Sequence, residues 1–260
     1  MPVVFSLLFE VERVYEGEMR SLARALDFFF PACCPFCDAP VDTEWGVCAD
    51  CEYSLPWFEP PWCMHCGRPL DAGGTVTAAC SDCALTPPVF DHAFSVVAYD
   101  TPIRAAVGRL KYGRDATFAD PLGELFARIA PGAMNPFVYD CVLGVPLHGK
   151  RLRWRGFNQA LLLARSFSRR FEVPLLPHVL VRRRATVAQA SLDRAGRLAN
   201  LTEAFGVRRA GPIAGKAVLV VDDVLTTGAT LEACAAALKA AGAARVDALT
   251  IARALPMRGP

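Results

Sequence analysis

The sequence has no run of about 18 apolar residues free of charge, so a membrane-spanning helix is not expected, although mean hydropathy is +0.27. A secretory leader is not expected either. The apolar start, Met1 to Val11, lacks a basic head and is crowded by the acids Glu10, Glu12, Glu16 and Glu18, so a cytoplasmic location is expected. A Walker-type phosphate loop is missing. Gly211 to Lys216 has too few residues between its glycines, and Ala217 follows the lysine where Ser or Thr is required. Without export, the 11 cysteines belong to a reducing compartment, where metal binding is favoured over disulfides.

What is present is ample for one full α/β core and a small extra domain: 260 residues, 53% hydrophobic and 21% charged. The net charge is only +2, but it is split along the chain. Residues 1–83 carry 13 acids against 4 bases, whereas residues 150–209 carry 14 bases against 3 acids. A basic stretch of that density attracts pyrophosphate or nucleic acid. An arginine-rich solvated surface is the plain alternative for any one of these residues. Met19 is a second candidate start, which would make residues 1–18 an upstream extension.

Four C-x-x-C pairs follow: Cys34/Cys37, Cys48/Cys51, Cys63/Cys66 and Cys80/Cys83. Two thiolates in one tight turn point at one ion, and two turns complete a closed tetrahedral Zn²⁺ site. The repeat therefore predicts two structural zinc ions, with no open coordination position for catalysis. The segment is rich in Pro and Trp and is expected to need its metal to fold. Cys33 remains an alternative to Cys34 in the first pair. His65 lies inside a pair, where its cysteine neighbours serve better.

The stretch Val218–Thr230 reads V-L-V-V-D-D-V-L-T-T-G-A-T. Its apolar start predicts a strand buried on both faces, as in a parallel sheet. Asp222 and Asp223 are too costly to bury unpaired, so they are expected at the strand's carboxyl end, where open α/β sheets bind ligands. Thr226, Thr227, Gly228, Ala229 and Thr230 then open an Ala-rich helix (231–241). Free N–H groups and hydroxyls at such a turn bind a phosphate without a lysine. Carboxylates beside a phosphate cradle make sense when a sugar lies between them. The site resembles the phosphoribosyl pyrophosphate (PRPP) loop of type I phosphoribosyltransferases.

Elsewhere, periodicity predicts a helix over 19–30, a linker at Pro87-Pro88, a strand over 94–99 and a helix begun by Thr101-Pro102. A further helix is expected over 118–129 and a strand over 138–145. Lys111 is either a phosphate contact or a helix-end cation. Pro146 to Arg151 is expected to form a turn in which His148, Lys150 and Arg151 face a pyrophosphate. Arg153, Trp154 and Arg155 combine charge with a stacking surface and are candidates for single-stranded nucleic acid. A helix follows over 160–171. Residues 181–205 have weak periodicity and are expected to form a hood over the ligand, with Arg182, Gln189, Arg194 and Arg197 facing it. The last strand is expected over 246–252, and Cys141 and Cys234 as core residues.

Taken together, the paired knuckles, V-P-L-H-x-K-R-L-R-x-R-G-F-N-Q-A (145–160), a looser match over 182–200, and V-D-D-V-L-T-T-G-A-T (221–230) resemble the ComF/GntX family. The resemblance implies a double zinc ribbon over 31–86, after an extension over 1–30. It implies a type I phosphoribosyltransferase-like α/β domain over 87–260: a parallel sheet with flanking helices. It implies PRPP and Mg²⁺ at Val221–Asp223 and Thr226–Thr230, and a role in bacterial DNA uptake or nucleotide metabolism. Gly144 stands where that family is expected to carry proline, which would leave the following loop more flexible. No residue cluster specifies an acceptor base, and no glutaminase nucleophile appears at an N-terminus, so the family's amidophosphoribosyltransferase label rests on fold analogy. Catalysis and non-catalytic PRPP sensing coupled to single-stranded DNA binding both stay open.

Overall fold

The computed structural model describes residues 33–41, 46–70, 79–112, 116–132, 134–184 and 204–255. The helix expected over 19–30, the hood residues Gln189, Arg194 and Arg197, and the tail 256–260 lie outside them.

Two short helices belong to the cysteine-rich segment: α1 (Ala49–Ser54) and α2 (Ser81–Leu85). Then come β1 (Ala93–Ala98), α3 (Thr101–Tyr112), α4 (Ala119–Ile129), β2 (Cys141–Gly144), α5 (Gly149–Arg155) and α6 (Gln159–Phe171). A two-stranded antiparallel ribbon of β3 (Leu180–Arg182) and β4 (Phe205–Val207) precedes β5 (Ala217–Leu225), α7 (Ala229–Ala240) and β6 (Arg245–Arg253). The main sheet is parallel throughout, in the order β1-β6-β5-β2.

The central strand follows from its residues. Val218 to Val221 are each at most 1% exposed. Leu219 and Val221 pack with Leu122, Phe126, Leu163 and Phe167 of α4 and α6. Val218 and Val220 pack with Leu231, Cys234 and Leu238 of α7. Strand alternation thus gives each helical layer one face of β5.

Several boundaries differ from those expected, each for a local reason. The helix at residue 101 is capped one residue earlier, because Asp100 Oδ1 accepts the Thr101 N–H at 2.7 Å and its carbonyl accepts from Arg104. The expected strand over 138–145 shrinks to Cys141–Gly144. Asn135 caps a 3₁₀ turn over Pro136–Val138, and Asp140 turns its carboxylate to the Ala217 N–H. The basic turn after β2 ends at His148. Its Nδ1 accepts the Lys150 N–H, and Gly149–Arg155 form helix α5. Gly144 does not loosen its loop. A Cβ there would stand 2.6 Å from the Leu161 nitrogen, so its bareness lets α6 lie directly on β2.

The cysteine-rich segment is packed onto the sheet. Cys34, Val47 and Leu55 share one core with Val96, Leu122 and Phe126. Phe58 N–H donates to the Val96 carbonyl, Ala98 N–H donates to that of Pro56, and buried Arg253 donates to that of Cys66.

Candidate functional site

β5 and β6 run on past the end of β2, whose last register pair is Gly144 with Val221. Asp222 and Asp223 therefore lie inside a strand, yet on the side where their neighbour has stopped. That step in the sheet opens a cavity of about 410 Å³. Asp222, Asp223, Thr226 and Thr230 line it together with Lys111 and Arg151. Arg182 from the β3–β4 ribbon lines it too. Gly228, at φ +85°, makes the left-handed turn that aims the start of α7 toward it. Thr226 and Thr227 are exposed, and Ala229 is buried as the first residue of α7.

The two aspartates face opposite sides of the sheet. Asp223, 3% exposed, lies on the α6 side, where Lys111 Nζ is 2.8 Å from its Oδ1 and Gln159 Nε2 donates to its Oδ2 at 2.9 Å. Gln159 in turn accepts from Arg155, closing a buried Arg155–Gln159–Asp223–Lys111 network. Asp222 lies on the α7 side, with its Oδ1 accepting the Asp223 N–H at 2.9 Å. Burial and the neighbouring Asp223 charge push its carboxyl up to about 7, against the pull of Lys111 and Arg182. Burial works against the Lys111 ammonium, but Asp223 and then Asp222 outweigh it and hold it above the usual lysine range. Burial lowers Arg155 and Arg182 from the ordinary arginine value. The expectation that the acids could not be buried unpaired thus holds for Asp223 through a partner from α3.

The segment R-G-F-N-Q acquires a role for each polar residue. Arg155 holds Gln159, and Gly156 ends α5 in the left-handed conformation. Asn158 caps α6 by accepting the Ala160 N–H, and donates to the Val145 carbonyl. Arg155 is 7% exposed, which corrects its assignment as a nucleic-acid contact. Arg153 is exposed, and Trp154 is 50% exposed with its ring edge-on to Tyr112. Lys150 and Arg151 lie on the exposed side of α5, but only Arg151 reaches the cavity wall. His148 is occupied as a helix cap. Tyr99, Tyr112 and Gln159 line the cavity and were not singled out from sequence. Only Gln159 carried a signal, as part of the family motif.

The cysteines form two clusters, Cys34/Cys37/Cys48/Cys51 and Cys63/Cys66/Cys80/Cys83, with the sulfurs of each within 4.8 Å of one another. Cys34, not Cys33, completes the first. The clusters are consistent with two structural zinc ions, and the donors fit the metal. Burial opposes ionisation of Cys34 and Cys63, but backbone hydrogen bonds, those of Cys48 and Cys66 the largest, bring them down to about 7 and about 6. Burial and the neighbouring sulfurs push Cys51 and Cys83 up. A ready thiolate beside a thiol that burial and its neighbours keep protonated is the state that a dication resolves.

Comparisons with known proteins find matches for both the cysteine-rich segment and the α/β part. Residues 25–84 match the double zinc ribbon domain and residues 158–257 the phosphoribosyl transferase domain. DNA utilization protein YhgH of Escherichia coli (strain K12) is 32% identical over 235 residues, covering 86% of this chain and 98% of that protein. The chain belongs to the ComF/GntX family. Competence protein F of Haemophilus influenzae is 30% identical over 180 residues, covering 67% of this chain and 78% of that protein. Among solved structures, the allosteric regulatory enzyme of purine biosynthesis is 22% identical (TM-score 0.34), covering 50% of this chain and 24% of that one. The purine phosphoribosyltransferase of Pyrococcus horikoshii is 17% identical (TM-score 0.32), covering 55% and 75%. This ComF-family chain has a phosphoribosyltransferase-like α/β fold after a cysteine-rich double zinc-ribbon region. No helix among the described residues is long and apolar enough to cross a membrane.

Proposed function

We propose that the cavity at the end of β5 binds PRPP with Mg²⁺ and that the chain acts as a phosphoribosyltransferase. One observation carries this reading: two carboxylates and the threonine-lined start of α7 share a cavity with Lys111, Arg151 and Arg182. Carboxylates accept from sugar hydroxyls, the helix start takes the 5′-phosphate, and the cations face the pyrophosphate. Asp222 is the better acceptor for a ribose hydroxyl, because both oxygens of Asp223 are already engaged by Lys111 and Gln159. Mg²⁺ suits one carboxylate plus substrate phosphates, and when bound it would neutralise pyrophosphate charge. In the transfer, the acceptor's lone pair forms a bond to ribose C1′. The C1′–O bond breaks, and its electron pair leaves with pyrophosphate. The protein's part is to position the sugar and stabilise the departing charge.

The reading assigns residues 31–86 to zinc ribbons, 87–260 to the transferase-like unit and 1–30 to an extension. The reading keeps residues 181–205 as the hood, and the name of the Haemophilus relative points to DNA uptake as the setting. A second reading is a non-catalytic PRPP sensor that binds single-stranded DNA. It is favoured by exposed Arg153 beside Trp154 on α5. Calorimetry with PRPP and Mg²⁺, followed by pyrophosphate release across nucleobases, ammonia and glutamine, separates the two. Binding without release across the panel would favour the sensor.

A further inference from the structure

The cavity has one wall that the sugar-phosphate reading does not use. Tyr112, the last residue of α3, and Trp154, near the end of α5, both line it. They are 69% and 50% exposed, with ring centroids 6.3 Å apart at 62°. Each follows or precedes a residue of the buried network. Lys111 binds Asp223 and Tyr112 comes next, while Arg155 binds Gln159 and Trp154 comes just before it. The network that fixes Asp223 therefore also positions the two stretches of backbone that carry these rings. Tyr99 adds a third ring to the same cavity.

Around these rings the cavity is charged, with Lys111, Arg151, Arg155 and Arg182 against two aspartates. Exposed ring surface is of no use to a ligand as small as ammonia, which needs hydrogen-bond partners and nothing flat. A planar heterocycle fits it: stacking is tolerant of base identity, and every base offers a π-face. The edge contact between Tyr112 and Trp154 reduces the rotamer freedom lost when a ring docks. Resting on the PRPP reading, we infer that Tyr112 and Trp154 form the acceptor subsite and that the acceptor is a free nucleobase rather than ammonia. Its ring nitrogen would attack C1′ as pyrophosphate leaves, and the displaced ring N–H proton would go to solvent.

The test uses the full-length, zinc-loaded chain with saturating PRPP and Mg²⁺. Free purines and pyrimidines are titrated while tryptophan fluorescence is followed, and calorimetry runs in parallel. The chain has 4 tryptophans, so Trp154→Phe assigns the quenching and keeps a ring for stacking. Trp154→Ala and Tyr112→Ala should each weaken base binding about tenfold or more, in line with the loss of one stacking partner. PRPP affinity should stay nearly unchanged, and Trp154→Phe should restore base binding. PRPP binding with no base binding, or base binding indifferent to both alanine variants, would overturn the subsite alone. Failure of the wild-type chain to bind PRPP would overturn the sugar site and the subsite with it. Quenching by short oligonucleotides that is salt-steep and independent of PRPP would give the wall to a nucleic-acid strand and overturn the acceptor assignment.

Discussion

Lys111 reaches from the end of α3 to Asp223 in the middle of the site, Nζ to Oδ1 at 2.8 Å, and joins two segments more than a hundred residues apart in the chain. Removing the ammonium leaves a carboxylate that is nearly enclosed, with the Gln159 amide still donating to it. Lys111→Met should cost about 3 kcal/mol, at the low end for broken buried pairs because Lys111 keeps some solvent contact. Lys111→Met/Asp223→Asn together should cost less than the sum of the two single changes. Urea melts of the four proteins give the coupling, and strict additivity would remove the pair from the account.

Gln159 bridges Arg155 and Asp223, and leucine has nearly its shape without its polar atoms. Gln159→Leu should destabilise by about 1–3 kcal/mol, because it strands two buried polar partners. Thermal unfolding measures it. A change within a few tenths of a kcal/mol would mean that the network is not formed in solution.

The Asp222 carboxyl gives a pH signature. It keeps its proton to about 7 in the folded chain, against an ordinary value of 3.8. Between those values the folded state binds more protons than the unfolded one, so this group makes stability fall as pH rises through the window. Ligand binding runs the other way. The ionised acid accepts from a ribose hydroxyl, so affinity for PRPP with Mg²⁺ should rise from about pH 6 to about pH 8. The charged groups facing it are Asp223, Lys111 and Arg182. Calorimetry at several pH values checks this, with Asp222→Asn expected to give weaker binding and a flatter profile. An equally steep profile in that variant would assign the titration to the ligand's own phosphates.

Gly144 carries a packing prediction. Alanine there puts a methyl against the backbone of Ala160 and Leu161, where no flexible side chain can give way. Gly144→Ala should destabilise by about 1–3 kcal/mol, and Gly144→Pro by at least as much. A proline variant as stable as wild type, measured by thermal melting, would show that α6 sits farther from β2.

Metal removal should reach beyond the ribbons. Because Cys34, Val47 and Leu55 share a core with Val96, Leu122 and Phe126, chelation should lower the melting temperature of the α/β unit as well. Colorimetric release with a thiol-reactive agent should give two zinc ions per chain. A transferase unit whose melting is indifferent to chelation would contradict the shared core.

The sequence by itself determined whatever rests on local pattern. Eight cysteines in four equal pairs determined the two clusters, because ligand spacing is a property of adjacent residues. The apolar run before Asp222 and the threonines after it determined strand, turn and helix, because burial periodicity and helix-start chemistry are equally local. Only the tertiary structure decided that Lys111 and Gln159 claim one of the two aspartates, and that Arg155 is buried. It also decided that Tyr112 meets Trp154 on one wall of the cavity. These relationships join residues far apart in the chain, so they exist only once β2 stops short beside β5 and the helices close around the gap.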